Sequence, residues 1–142
     1  DVELRIYGDG YLKEYVVESQ KKDDRIKYLG QVSNEDMKCY QREADILINP
    51  RQVDNQISKY TFPSKTFEYF LSRTIVVSTK IPSYTEEYLD KMVLAEDSSQ
   101  GLAKAIQKVL DMSHEQKKEL QDRAYSFVVN EKVVPSKVAS IQ

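Results

Sequence analysis

The sequence predicts an α/β fold, an open and mostly parallel sheet with helices on both faces. Three observations carry this expectation. Short strand-forming runs alternate with segments of helical period along the 142-residue chain. Two of the runs, D-I-L-I-N (Asp45–Asn49) and T-I-V-V-S-T (Thr74–Thr79), place apolar residues consecutively, as strands covered on both faces do. The turns Gly8–Gly10 and Gly30–Ser33 and the stretch Pro50–Thr66 all follow strands, at the carboxyl edge where open α/β sheets hold ligands.

Taken in order, Val2–Tyr7 alternates well enough for a first strand. Gly8-Asp9-Gly10 turns the chain into a helix from about Tyr11 to Ser19, with Leu12, Tyr15 and Val16 on one face. Arg25–Leu29 is a second strand. Ser33 caps a helix through about Glu43, with Met37, Tyr40 and Ala44 inward. Asp45–Asn49 is the third strand, and residues 50–63 form a long polar loop of the kind that is either functional or disordered. A helix follows from Ser64 to about Ser72, with Phe67, Phe70 and Leu71 toward the core. Thr74–Thr79 is the fourth strand, Tyr84–Leu89 a short helix and Met92–Ala95 a brief fifth strand. Asp97 or Ser98 caps a helix to about Asp111, with Leu102, Ala105, Ile106, Val109 and Leu110 inward. Ser113-x-x-Gln116 is a capping box opening a last helix to about Val129, striped by Leu120, Ala124, Phe127 and Val128. Residues 1–129 thus read as one domain, and 130–142 as a tail or short helix.

Composition narrows the function classes. There are 21 basic and 23 acidic residues, a net charge of −2, so nothing points to nucleic acid or an anionic membrane as partner. No apolar run approaches the ~20 residues that span a bilayer. Cys39 is the only cysteine, which rules out an intrachain disulfide and a cysteine metal cluster and suits a reducing cytoplasm. His114, alone and without a partner pattern, reads as a first-turn helix residue. The chain opens at Asp1 directly on a strand, and the expectation is a piece of a longer protein.

The helix beginning at Ser64-Lys65-Thr66 is the strongest site candidate. A helix start exposes unpaired N–H groups and partial positive charge, which suit phosphate, and a lysine and two hydroxyls add to it. The glycines of a Walker loop are missing. Glu68, one turn later on the side of Ser64 and Lys65, is a carboxylate able to accept from sugar hydroxyls. The pair suggests a nucleotide or nucleotide-sugar. Arg51 and Lys59 read equally as solvated charges or as contacts to an anionic ligand. Gly8-Asp9-Gly10 reads as a tight turn rather than a dinucleotide fingerprint, because Lys13 stands where the third glycine belongs and no acid ends the next strand.

Together I-N-P-R, Y-T-F-P-S-K-T-F-E-Y-F-L, V-V-S-T, P-S-Y-T-E-E-Y and L-A-K-A-I resemble the C-terminal domain of a GT-B glycosyltransferase, closest to glycosyltransferase family four and its bacterial capsule and surface-polysaccharide members. The resemblance implies a Rossmann-like half that binds a UDP- or GDP-sugar. It implies donor pyrophosphate at Ser64, Lys65 and Thr66, ribose at Glu68, and the base near Gln31 and Val32. Arg51, Lys59 and Tyr60 are its candidates for donor-sugar or phosphate contact. It further implies transfer with retention to a glycan or lipid-linked acceptor, without metal or other cofactor. An N-terminal acceptor half is the implied partner. Membrane association would come only through that half, so the location is cytoplasmic, up to the inner membrane face. The resemblance assigns no catalytic residue here, and an isolated domain is expected to be inactive.

The sequence departs from the family at three places. Tyr60 stands where many relatives carry the first Glu of E-x7-E, Arg73 where a Gly follows the helix, and Pro82–Glu87 where a G-x-P-E loop is usual. Two alternatives therefore stay open at this point: a non-catalytic binding module on the same fold, and an unrelated α/β nucleotide-binding domain.

Overall fold

The computed structural model describes residues 1–51 and 64–132, so all but two residues of the expected 50–63 loop and all but 130–132 of the expected 130–142 tail lie outside the described residues. The fold is α/β with parallel strands flanked by helices, as the alternation predicts. The chain divides into two compact units, Asp1–Tyr40 and Gln41–Gln142.

The first unit pairs β1 (Leu4–Tyr7) in parallel with β2 (Ile26–Gly30), in register Leu4 to Ile26 and Ile6 to Tyr28. At the carboxyl edge Gly8 has φ 116°, a conformation that a Cβ disfavours, and its N–H donates to the Gly30 carbonyl at 2.8 Å. The Tyr28 hydroxyl donates to the Gly8 carbonyl at 2.6 Å, tying the two strand ends together. The connection is α1 (Lys13–Lys22), and here the predicted face holds only at Val16. Tyr15 is 71% exposed and Leu12 lies outside the helix, also exposed. The half-buried stripe is Val16, Val17 and Gln20, whose side-chain carbonyl accepts from the Tyr28 N–H at 2.7 Å. Val16 and Gln20 are four apart and share a face, whereas Tyr15 points about 100° away from Val16.

The second unit holds β3 (Ile46–Asn49), β4 (Ile75–Thr79) and β5 (Val93–Ala95), all parallel with β4 central. Every β4 residue is buried, which accounts for its unbroken β-branched run. α2 (Asn34–Glu43) leads into this unit, capped by the Ser33 hydroxyl, which accepts from the Asp36 N–H at 3.1 Å. α3 (Ser64–Leu71), the short α4 (Glu86–Leu89), α5 (Ser99–Leu110) and α6 (His114–Ser126) follow. The capping box is present: Ser113 Oγ accepts from the Gln116 N–H at 3.2 Å and Gln116 Oε1 from the Ser113 N–H at 2.9 Å. α6 runs on as π-helix over Phe127–Lys132.

Two apolar clusters lie on β4. Val76 joins Phe70, Ile81, Tyr84, Tyr88, Met92, Ala124, Phe127 and Val128, while Ile75 and Val77 join Val93, Ala95, Ala105, Val109 and Leu120. The expected α6 stripe is thus buried. Leu110 is exposed instead of inward, because α5 turns Leu102, Ala105 and Val109 to the sheet and the i, i+3, i+7 stripe leaves position 110 outside. Among the described residues, no helix is long and apolar enough to cross a membrane.

Arg73, just past α3, has φ 60°, the left-handed conformation for which glycine is favoured. Its side chain offsets part of that cost: the guanidinium carbon lies 3.9 Å from the Tyr125 ring centroid, and Nη1 lies 3.6 Å from Asp122 Oδ1. Two substitutions separate these effects. Arg73→Ala keeps the strain and loses the docking; Arg73→Gly loses the docking and relieves the strain. Denaturant midpoints are expected to place the Gly variant about 1 kcal/mol above the Ala variant. Equal midpoints would show that the left-handed turn costs nothing.

Candidate functional site

The start of α3 is held against the carboxyl ends of β3 and β4 by the sequence of its first two turns. Thr66, Phe67 and Phe70 form the inward stripe, with Thr66 and Phe70 both at 0% exposure. Leu71, expected inward, is 47% exposed: the helix is rotated so that the hydroxyl of Thr66 takes the core position one turn before Phe70. Lys65, the neighbour of Thr66, is exposed.

Buried hydroxyls need partners, and Thr66 finds one in Tyr84, Oγ1 to Oη 2.9 Å. The Tyr84 hydroxyl also accepts from Asn49 Nδ2 at 3.2 Å and lies 3.4 Å from Ser78 Oγ. Asn49 and Ser78 are opposite one another in the β3–β4 register. Thr79 Oγ1 donates to the Arg51 carbonyl at 2.6 Å, fixing the chain as it leaves β3. A polar cluster inside the second unit thereby links the last residues of two strands with the first turn of α3. The Thr66 hydroxyl is thus engaged within the protein.

Glu68 is half-buried, and its Oε1 accepts from Gln41 Nε2 at 3.1 Å. Gln41 is 5% exposed, and its own carbonyl accepts from Thr74 Oγ1 at 2.6 Å. This buried amide orients the carboxylate through one oxygen. Burial, with the Glu68 carboxylate and Tyr84 alongside, raises the Tyr69 phenol above its ordinary pKa.

Ser64, Lys65, Thr66, Glu68 and Arg51 all belong to the second unit. Gln31 and Val32 belong to the first, just after β2; Val32 lines a concavity of about 440 Å³ with Arg5, Tyr7, Lys27 and Tyr40. Lys59 and Tyr60 lie outside the described residues. The geometry of α3 is therefore that of a helix whose start stands at a sheet's carboxyl edge, with a free-standing lysine and an oriented carboxylate one turn on. The model for glycosyl transferases group 1 matches residues 1–112. The chain belongs to this family. No curated protein matches it in sequence.

Membership in the glycosyl transferases group 1 gives glycosyl transfer as the general activity and sets aside the alternative of an unrelated nucleotide-binding domain. Gln41 and Tyr84 are the residues at this site that sequence reasoning missed. Gln41 carried a signal, since it falls on the Met37–Tyr40–Ala44 stripe of α2. Tyr84 carried none, because its partners Asn49 and Thr66 are 35 and 18 residues away. A larger concavity, about 670 Å³, lies between α5 and α6 and takes in none of these residues. It mixes both charge signs and already spends Arg123 on Glu119, so it focuses no donors on one point.

Proposed function

We propose that the chain is the donor-binding, C-terminal half of a retaining glycosyltransferase of the family-four, surface-polysaccharide type. It takes a UDP- or GDP-sugar without metal and works in the cytoplasm with an N-terminal acceptor half. The observation that carries this reading is the start of α3. Its first-turn N–H groups have no intrahelical acceptors, Lys65 is exposed beside them, and the Glu68 carboxylate is held by Gln41 one turn on. The donor pyrophosphate lies against Ser64–Thr66, with Arg51 as a further cation in the same unit, and Glu68 takes the ribose hydroxyls. As the bond from the sugar's C1 to the phosphate oxygen breaks, negative charge grows on the leaving diphosphate. The helix dipole and the charge of Lys65 stabilise it. The base contact of Gln31 and Val32, and the donor contacts of Lys59 and Tyr60, rest on the resemblance alone.

Lys65→Ala tests the phosphate part. The substitution acts on charge at an exposed position, so UDP and GDP should bind about tenfold more weakly, the equivalent of about 1.4 kcal/mol. Uridine and guanosine should bind as before. Calorimetric titration of both ligand pairs reads the difference, and an equal loss for nucleoside and diphosphate would count against phosphate at Lys65.

The non-catalytic module is the second reading, and Tyr60 is the residue that favours it. Arg73 gives it less support, because it takes the backbone conformation that glycine would take there.

A further inference from the structure

We infer that Tyr84 is the positioning residue for the diphosphate subsite: its hydroxyl fixes the first turn of α3 relative to the carboxyl ends of β3 and β4. The inference rests on the reading of α3 as the phosphate-binding helix and adds a residue to it that touches no ligand. Tyr84 is 5% exposed, and its ring is packed in the cluster of Phe70, Val76 and Tyr88, so the hydroxyl has one place to stand. The hydrogen count shows how it is used. Ser78 donates its single proton to the carbonyl of Thr79 at 3.0 Å or of Asn49 at 3.2 Å, which leaves Ser78 Oγ to accept. Asn49 Nδ2 donates to Tyr84. Thr66 Oγ1, 2.9 Å away, either accepts the Tyr84 proton or donates its own to the phenol oxygen. In either arrangement one phenol oxygen satisfies the buried Thr66 hydroxyl and the Asn49 amide together.

Buried polar groups in such a network have steep alternatives, since an unpaired one is costly and tends to move toward water. Removing the phenol oxygen leaves Thr66 and Asn49 without that partner. Thr66 lies in the same turn as the N–H groups that face the phosphates, so displacement there acts on the diphosphate first. The nucleoside, held through Glu68 by Gln41, is spared.

The test is a titration of the chain with UDP, GDP, uridine and guanosine, for wild type, Tyr84→Phe, Thr66→Val and the double variant. Tyr84→Phe is expected to weaken the diphosphates by about tenfold and leave the nucleosides unchanged. Thr66→Val should do the same, and the double variant should lose little more than either, because both remove one interaction. Thr66→Ser, which keeps the hydroxyl, should retain more diphosphate affinity than Thr66→Val. Should Tyr84→Phe fail to fold, the contrast between Thr66→Ser and Thr66→Val decides the matter. Diphosphate binding by wild type with no loss in a folded Tyr84→Phe, or an equal loss for nucleosides, overturns the inference and leaves the phosphate reading standing. Absence of diphosphate binding in wild type removes both.

Discussion

Phe70→Ala is expected to cost about 3–5 kcal/mol of folding free energy. The ring is fully buried among Val76, Ile81, Tyr84, Tyr88 and Phe127, and it is what seats α3 on β4. Truncation removes the transfer energy of the ring and leaves a cavity that these close-packed neighbours fill only in part. Domains have about 5–15 kcal/mol of stability in total, so the loss is a large share of it. Leu71→Ala, one residue on, is the control: Leu71 is exposed, and its loss should stay within about 0.5 kcal/mol. Urea or guanidinium denaturation of the two variants measures the contrast. Similar losses at 70 and 71 would contradict the orientation of α3, and with it the inward position of Thr66.

Glu68→Gln should weaken UDP and GDP binding by about ten- to a hundredfold. The amide keeps the shape of the side chain but loses the charge, and hydrogen bonds to a charged acceptor are worth about 1.5–3 kcal/mol. Unlike Lys65→Ala, this substitution should weaken nucleoside and diphosphate alike, because it acts at the ribose. The two variants therefore give distinct calorimetric patterns. Glu68→Gln with unchanged affinities and an intact fold would mean that the carboxylate serves only to receive Gln41.

Much of this was legible in the residues themselves, and the failures share a cause. A consecutive apolar run marked β4, every residue of which is buried, and a like run marked β3, which is half-buried throughout; Ser113-x-x-Gln116 marked its helix because capping is local chemistry. Which residues of a helix face inward is set by the neighbour it lands on, and apolarity alone misjudges it. Hence Tyr15 and Leu71 were expected inside and are exposed, while Thr66 and Gln41, polar by type, are buried because Tyr84 and Glu68 satisfy them. Ser64, Lys65 and Glu68 could be picked out as a group because they lie within one turn of a single helix. The cluster that fixes that turn could not, since Asn49, Thr66, Ser78 and Tyr84 meet only through the parallel crossover of β3 and β4. Arg73 shows the converse: a residue type that argues against a left-handed cap still adopts one when its side chain can dock on Tyr125 and Asp122.

The measurement that bears most directly on donor binding by α3 is a diffraction structure of the chain with UDP or GDP bound. Phosphate oxygens should lie within hydrogen-bond distance of the N–H groups of Ser64–Thr66, with Lys65 Nζ turned toward them and a ribose hydroxyl on the Glu68 carboxylate. A well-ordered α3 with the nucleotide bound elsewhere, or with none bound at saturating concentration, would contradict that placement.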